Sequence, residues 1–134
     1  MTIETEISPA MPETTGAMPP VWKRLRFEAA ASAAEEPTLA SLLNAAILSH
    51  DHLRDALSYF LAQKLAGSEM NALQIREIFD DAYNADPVLE AAAERDMVAV
   101  LDRDAACRSF LQPFLFFKGF QALQTHRVAH WLWN

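Results

Sequence analysis

Residues 38–66, TLASLLNAAILSHDHLRDALSYFLAQKLA, carry two sets of apolar residues at helical spacing. The first set is Leu39, Leu42, Leu43, Ala46 and Ile47, and the second is Leu53, Leu57, Phe60, Leu61 and Leu65. Apolar residues that recur every three or four positions share one face of an α-helix. The stretch therefore predicts two amphipathic helices, one over residues 38–49 and one over residues 51–66.

The helical period extends to both sides of this stretch. It predicts further helices over residues 21–35, 69–85 and 87–101, and a last helix over residues 112–133. No segment alternates apolar and polar residues, as a β-strand would, for more than a few positions. We therefore expect an all-α fold, a multi-helix bundle of about six helices that occupies residues 21–134.

Helix boundaries are marked by residues that stop or start helices. Pro37 breaks the chain after the first helix. Gly67 is expected to end the helix over residues 51–66, and Ser68 to cap the next one. Asp86-Pro87 places an acid at the cap and a proline at the first helical position, which predicts a new helix there.

Residues 1–20 differ in composition from the rest of the chain. They contain four of the seven prolines and three glutamates, but neither Lys nor Arg. Their apolar residues follow no regular period, so folding would recover little of the entropy that it costs. We expect a disordered leader at residues 1–20 and a folded domain at residues 21–134.

Composition and charge exclude several classes of function. The net charge of −7 argues against a protein that binds nucleic acid and against one that binds an anionic membrane surface. The three glycines are too scattered for a phosphate-binding loop, and no stretch has the roughly 18 apolar residues of a membrane span. Cys107 is the single cysteine, which fits a reducing compartment and predicts a cytoplasmic protein.

Two features could suggest chemistry but are better explained otherwise. His126 and His130 have the i, i+4 spacing of metal ligands, yet no HExxH glutamate lies between them and the other histidines are distant in sequence. A pair of interface or core-edge histidines is the favoured interpretation, and no metal is expected. Cys107 has no base in a local signature, which favours a buried or half-exposed thiol over a nucleophile.

Paired acids occur at Glu35-Glu36, Asp80-Asp81 and Asp102-Arg103-Asp104. The first two pairs are expected to be solvated charges. The third pair lies where a helix is expected to end, and a helix C-terminus disfavours acids. Such departures from local preference are sometimes functional. Two interpretations of these acids therefore remain, a functional role and a solvated charge.

The closing segment is aromatic on several faces, which is unusual for the last helix of a monomer. Trp131 and Trp133 are two residues apart and point about 200° apart on a helix. One side of a small bundle cannot bury both indoles. At least one indole should therefore contact another chain or stay exposed, which suggests an oligomer contact or a continuation into a further domain.

These closing residues also carry a family resemblance. Residues 117–134, FKGFQALQTHRVAHWLWN, resemble the KGFxALQxxRxxHWLWN signature of bacterial serine acetyltransferases. The segments ALSYFLAQKL (56–65), IRE (75–77), AYNADP (82–87) and VW (21–22) resemble that family in order and spacing. The resemblance covers residues 21–134 and leaves out the proline-rich leader.

The resemblance implies a reaction and a division of labour. Family members transfer an acetyl group from acetyl-CoA to L-serine in cysteine biosynthesis. A left-handed β-helix that follows the helical domain carries the catalytic His and Asp, trimerises and binds acetyl-CoA. The helical domain joins trimers, which implies a homo-oligomer. Its Arg-Asp loop reaches the serine site, so Asp104, after Arg103, is the residue expected to bind the serine ammonium group.

The 134 residues stop where a family member would enter its β-helix. The catalytic pair, the acetyl-CoA groove and the C-terminal tail that docks on O-acetylserine sulfhydrylase are therefore expected to be absent from these residues. No catalytic, cofactor or metal residue is assigned to them, and a polypeptide of these residues alone is expected to be inactive. Three explanations for this end of the sequence remain: a natural truncation, a split gene and a fragment. The alternative is a stand-alone helical interaction protein without an enzyme role.

Overall fold

The computed structural model describes residues 20–134, so all of the expected leader except Pro20 lies outside the described residues. Seven α-helices fill this range, and none of the described residues lies in a strand. The all-α prediction is confirmed. The helices are α1 (Val21–Glu35), α2 (Pro37–Leu43), α3 (Leu53–Leu65), α4 (Ala72–Ala85), α5 (Pro87–Arg103), α6 (Leu111–Phe116) and α7 (Lys118–Trp133). A wider π-helical turn, Asn44–Leu48, prolongs α2.

Some predicted helix boundaries agree with the structure, whereas the predicted cap of α4 is wrong. Asp86 caps α5 by accepting a 3.1 Å hydrogen bond from the Val88 amide, with Pro87 at the first position. Ser68 does not cap α4. Asn71 does so instead, in a reciprocal capping box in which its side chain accepts from the Gln74 amide and the Gln74 side chain accepts from the Asn71 amide. This pairing satisfies two amides at once, which a cap at Ser68 would not do.

The last predicted helix is two helices. The chain is extended at Phe117 (φ −88°, ψ 104°), so α6 ends at Phe116 and α7 begins at Lys118. The buried Gln121 side chain donates a 3.0 Å hydrogen bond to the Phe114 carbonyl, which satisfies an acceptor freed at the end of α6. The break therefore costs little in unmade hydrogen bonds, and it lets α6 and α7 pack against each other.

One hydrophobic core runs through the bundle, with α3 packed on α4, and α7 packed against α4, α5 and α6. The larger side chains at its centre are Leu25, Leu43, Ile47, Leu53, Leu57, Leu61, Met97, Phe110 and Phe114. α1 contacts both α5 and α6, so it lies beneath the loop that joins them. None of the helices between residues 20 and 134 is both long and apolar enough to cross a bilayer.

Candidate functional site at the end of α5

Asp104 forms the C-terminal boundary of α5. Its backbone is extended, and its amide donates a 3.0 Å hydrogen bond to the Val100 carbonyl. Its Oδ1 accepts from the Ala106 amide at 2.9 Å, while its carbonyl accepts from the Cys107 amide at 2.9 Å. The acid thus starts a tight turn through its own side chain, a use that suits Asp and offsets its poor fit to a helix C-terminus.

The turn occupies only one oxygen of the Asp104 carboxylate. The residue is exposed, and within residues 20–134 its side-chain hydrogen bond is the one at Oδ1. The carboxylate borders an open groove of about 530 Å³ between the end of α5 and the start of α7. Asp96, Arg103, Phe117, Phe120 and Leu123 are among the other lining residues. An accessible carboxylate beside a partly apolar groove can bind a small cation such as an ammonium group.

Asp102 does not share this groove. It lines a separate depression beside Val21, Glu94 and Arg95, on α1 and α5. The two acids, which are only two positions apart in the sequence, therefore face different surroundings. Only Asp104 is part of the turn and the groove, which makes it the stronger candidate of the two.

A buried glutamate on α1 accepts a hydrogen bond from the first amide of α6, directly after the loop that follows Asp104. Glu28 is 2% exposed, and its Oε1 accepts a 3.1 Å hydrogen bond from the Leu111 amide. Its Oε2 accepts a 2.9 Å hydrogen bond from Arg24 Nε, and the Arg24 guanidinium lies 5.0 Å from the centre of the Phe110 ring. Burial raises the pKa of the Glu28 carboxyl, and the Arg24 charge and the Leu111 amide offset part of that rise.

Glu28 is not among the residues that the sequence predicts to be functional. The signal was present, since Glu28 follows Leu25 by three positions and lies next to Ala29 on the apolar stripe of α1. A charged residue inside an apolar stripe has to find a partner when it is buried. Its main-chain partner, the Leu111 amide, is 83 positions away, which no local pattern could indicate.

The remaining sequence candidates lie away from the Asp104 groove or show only structural contacts within residues 20–134. His126 and His130 are exposed on α7 with ring centroids 6.4 Å apart, and residues 20–134 hold no group of three His, Cys, Asp or Glu placed to bind a metal. The buried Cys107 donates from Sγ to the Ser109 carbonyl at 3.3 Å, and burial raises its pKa. Glu35, Glu36 and Asp81 are exposed, while Asp80 is half-buried beside Arg76 at 3.7 Å.

The two closing indoles differ in burial, as their spacing predicts. Trp131 is half-buried and packs against the core, whereas Trp133 is 89% exposed. The neighbouring Leu132 is also exposed. The end of α7 therefore presents an apolar surface that the bundle itself does not cover.

Comparison with known proteins identifies the family. The family model described as serine acetyltransferase, N-terminal, matches residues 21–125. The chain belongs to the serine acetyltransferase family. The curated serine acetyltransferase of Salmonella typhimurium is 50% identical over 114 residues, which cover 85% of this chain and 42% of that protein.

Solved structures of serine acetyltransferases have the same helical fold. One in complex with CoA is 45% identical with a TM-score of 0.83 and covers 85% of this chain and 48% of that one. A soybean serine acetyltransferase complexed with serine is 43% identical with a TM-score of 0.81, covering 84% of this chain and 46% of that one. The chain thus spans less than half the length of these relatives.

Proposed function

We propose that residues 21–134 are the N-terminal helical domain of a serine O-acetyltransferase, in which Asp104 binds the ammonium group of L-serine. The observation that carries the proposal is the accessible Asp104 carboxylate on a turn beside an open groove. It supports the proposal because the family resemblance implies that the serine-binding acid is Asp104, which follows Arg103. The reaction would take an acetyl group from acetyl-CoA to the serine hydroxyl, releasing CoA.

In this reaction the helical domain would bind serine and would not supply the catalytic base or the acetyl-CoA groove. A base must take the proton of the serine hydroxyl, and donors must stabilise the tetrahedral intermediate that forms on the thioester carbonyl. The resemblance places both, together with the acetyl-CoA groove, in the family's β-helix. Asp104 would contribute a charge-assisted hydrogen bond that holds serine in place, so its loss should weaken serine binding more than it slows turnover.

A second part of the proposal is assembly. The exposed Trp133 and Leu132 would lie against another copy of the chain or the adjoining domain, forming a homo-oligomer. The complete enzyme would act in the cytoplasm, where a lone buried thiol such as Cys107 stays reduced, and would associate with O-acetylserine sulfhydrylase.

The test uses the complete product of the gene that encodes this chain. Serine-dependent release of CoA from acetyl-CoA, followed with a thiol reagent, is the expected activity. An inactive product would overturn the proposal and favour the stand-alone interaction protein. A polypeptide of residues 1–134 alone is the negative control, because the proposed base and acetyl-CoA groove lie outside it.

The role of Asp104 is tested in the same assay. Asp104→Asn should raise the KM for serine at least about tenfold, with the KM for acetyl-CoA unchanged, because it removes a charge-assisted hydrogen bond. Asp102→Asn is the matched control, since it removes an acid two positions away that lines a different depression. An unchanged KM for serine in Asp104→Asn would remove Asp104 from the site.

A further inference from the structure

The α6 helix has only part of a cap of its own, a 3.4 Å hydrogen bond from the Gln112 amide to Ser109 Oγ. Its N-cap residue is Phe110, which has no side-chain hydrogen bond to offer, whereas α4 and α5 are capped by Asn71 and Asp86. The Leu111 amide is satisfied instead by Glu28, which belongs to α1. Because unpaired amides at a helix start are costly when buried, the first amide of α6, that of Leu111, depends on a side chain from another helix.

The loop between α5 and α6 is short and is fixed at both ends. Only residues 105–109 separate Asp104 from Phe110. At its start, the Ala106 and Cys107 amides bond to Asp104. Near its end, the Arg108 amide donates a 2.8 Å hydrogen bond to Gln112 Oε1, so the loop backbone is tied to α6.

These contacts form a continuous connection from Glu28 to the Asp104 carboxylate. Glu28 holds the first amide of α6, Gln112 of α6 holds the loop, and the Ala106 amide of the loop holds Asp104 Oδ1. Arg24 completes the arrangement, since it pairs with Glu28 and covers the Phe110 ring. A shift of α6 would therefore be passed through five residues of loop to the turn that orients Asp104.

We propose that Glu28 is a positioning residue for the serine site, holding the 105–109 loop so that the Asp104 carboxylate stays where the serine ammonium group binds. The inference rests on the function proposed above. Glu28 does not touch the substrate in this account, because it is buried beneath the loop. Loss of the Glu28 side chain should displace Asp104, so it should weaken the binding of serine and leave the binding of acetyl-CoA unchanged.

The experiment compares two variants of the complete gene product, Glu28→Ala and Glu28→Gln. Glu28→Ala removes the acceptor for the Leu111 amide and should raise the KM for serine about tenfold, with kcat and the KM for acetyl-CoA within about twofold. Glu28→Gln keeps an oxygen for that amide and should recover most of the KM. Should Glu28→Ala not fold, Glu28→Asp, whose shorter side chain withdraws from the amide, replaces it with the same expectation.

The matched control is Glu90, which makes a similar link far from the loop. Glu90 Oε2 accepts a 3.0 Å hydrogen bond from the Arg54 amide at the start of α3, and its Oε1 pairs with Arg54 Nη1 at 3.2 Å. Glu90→Ala should lower stability without changing the KM for serine. An equal rise in KM for Glu90→Ala and Glu28→Ala would show a general structural effect and overturn the proposal.

A double variant separates this inference from the proposed function. If Glu28 acts through Asp104, adding Glu28→Ala to Asp104→Asn should raise the KM for serine no further, since coupled residues are not additive. An additive rise would overturn the positioning role. Normal serine binding by Glu28→Ala, with impaired Asp104→Asn, would overturn the inference alone. Unchanged binding by Asp104→Asn, or a gene product without activity, would overturn the proposed function itself.

Discussion

Gln124 of α7 donates a 2.7 Å hydrogen bond from Nε2 to Asp96 Oδ2 on α5, and Gln124 is completely buried. The same carboxylate accepts from Arg127 Nη2 at 3.0 Å through Oδ2 and at 3.3 Å through Oδ1. One acid therefore accepts hydrogen bonds from two polar side chains of α7. Asp96 also borders the groove beside Asp104, so this cluster fixes the crossing of the two helices that form the groove.

In the cluster of Asp96, Gln124 and Arg127, no other hydrogen-bond acceptor is available to replace the Asp96 carboxylate within residues 20–134. Gln124 Oε1 and Arg127 Nε are already buried without a hydrogen bond within residues 20–134. Asp96→Ala would leave the Gln124 amide without its remaining bond and Arg127 without its carboxylate. We expect the free energy of unfolding to fall by about 3 kcal/mol, measured by urea unfolding followed by circular dichroism.

The control for this variant is Asp80→Ala. Asp80 pairs with Arg76 at 3.7 Å on the surface of α4, and a surface pair of this kind contributes less than about 1 kcal/mol. Adding Gln124→Leu to Asp96→Ala should restore part of the lost stability, because it removes the orphaned amide. Equal losses from the Asp96 and Asp80 variants would show that the buried cluster carries no special weight.

The buried Glu28 predicts a dependence of stability on pH. Its pKa in the folded chain is raised above the ordinary value of 4.5, with burial as the first cause. The folded state thus binds the proton more tightly than the unfolded state between those two pKa values, and stability falls as the pH rises through that window. Relative to Glu28→Gln, which cannot titrate, the native chain should lose stability as the pH rises above 4.5.

Urea midpoints of the native chain and of Glu28→Gln, measured from pH 4 to pH 7, give the required difference. Subtracting the Glu28→Gln curve is needed because burial and the Glu90 charge also raise the pKa of Glu94. Glu94 is present in the native chain and in the variant, so its contribution cancels. A native chain that gains stability over Glu28→Gln as the pH rises would mean that Arg24 outweighs burial at this site.

The helices could be predicted from the sequence because their determinants are local. The apolar period and the Asp86-Pro87 start act within one or two turns of helix, and the structure confirms the helices that they indicate before residue 104. The Asp102-Arg103-Asp104 stretch was also detectable, since acids at a helix end depart from a local preference.

The features that escaped prediction depend on contacts between distant residues. The break at Phe117 has neither proline nor glycine at that position, and a side chain from α7 satisfies the carbonyl of Phe114. The link from Glu28 to Leu111 spans 83 positions. The cap at Asn71 was missed for a different reason, since Ser68 is an equally acceptable cap residue and only the reciprocal bond with Gln74 decides between them.

Cys107 is predicted to be unreactive in the folded chain. It is buried, and burial is the main cause that raises its pKa, so little of the nucleophilic thiolate is present at neutral pH. A disulfide reagent should modify it at least about tenfold more slowly in buffer than in urea. Rapid labelling of the folded chain would contradict the burial and the proposed inertness together.

The exposed end of α7 predicts self-association of a polypeptide of residues 1–134. Trp133 is 89% exposed and lies beside the exposed Leu132, whereas Trp131 packs against the core. A large exposed aromatic beside another apolar side chain gains free energy when a second surface covers it, and such residues often dominate protein interfaces. We therefore expect a sedimentation coefficient that rises with protein concentration.

Trp133→Ser should weaken this association about tenfold, because it removes the largest apolar side chain of the surface without disturbing the core. Leu73→Ser is the matched control, since Leu73 is 66% exposed on α4, a different helix. Unfolding midpoints of both variants should stay near the native value, which separates association from stability. A native chain that sediments as a monomer at all concentrations would contradict the prediction, and an equal effect of Leu73→Ser would show that association does not use the end of α7.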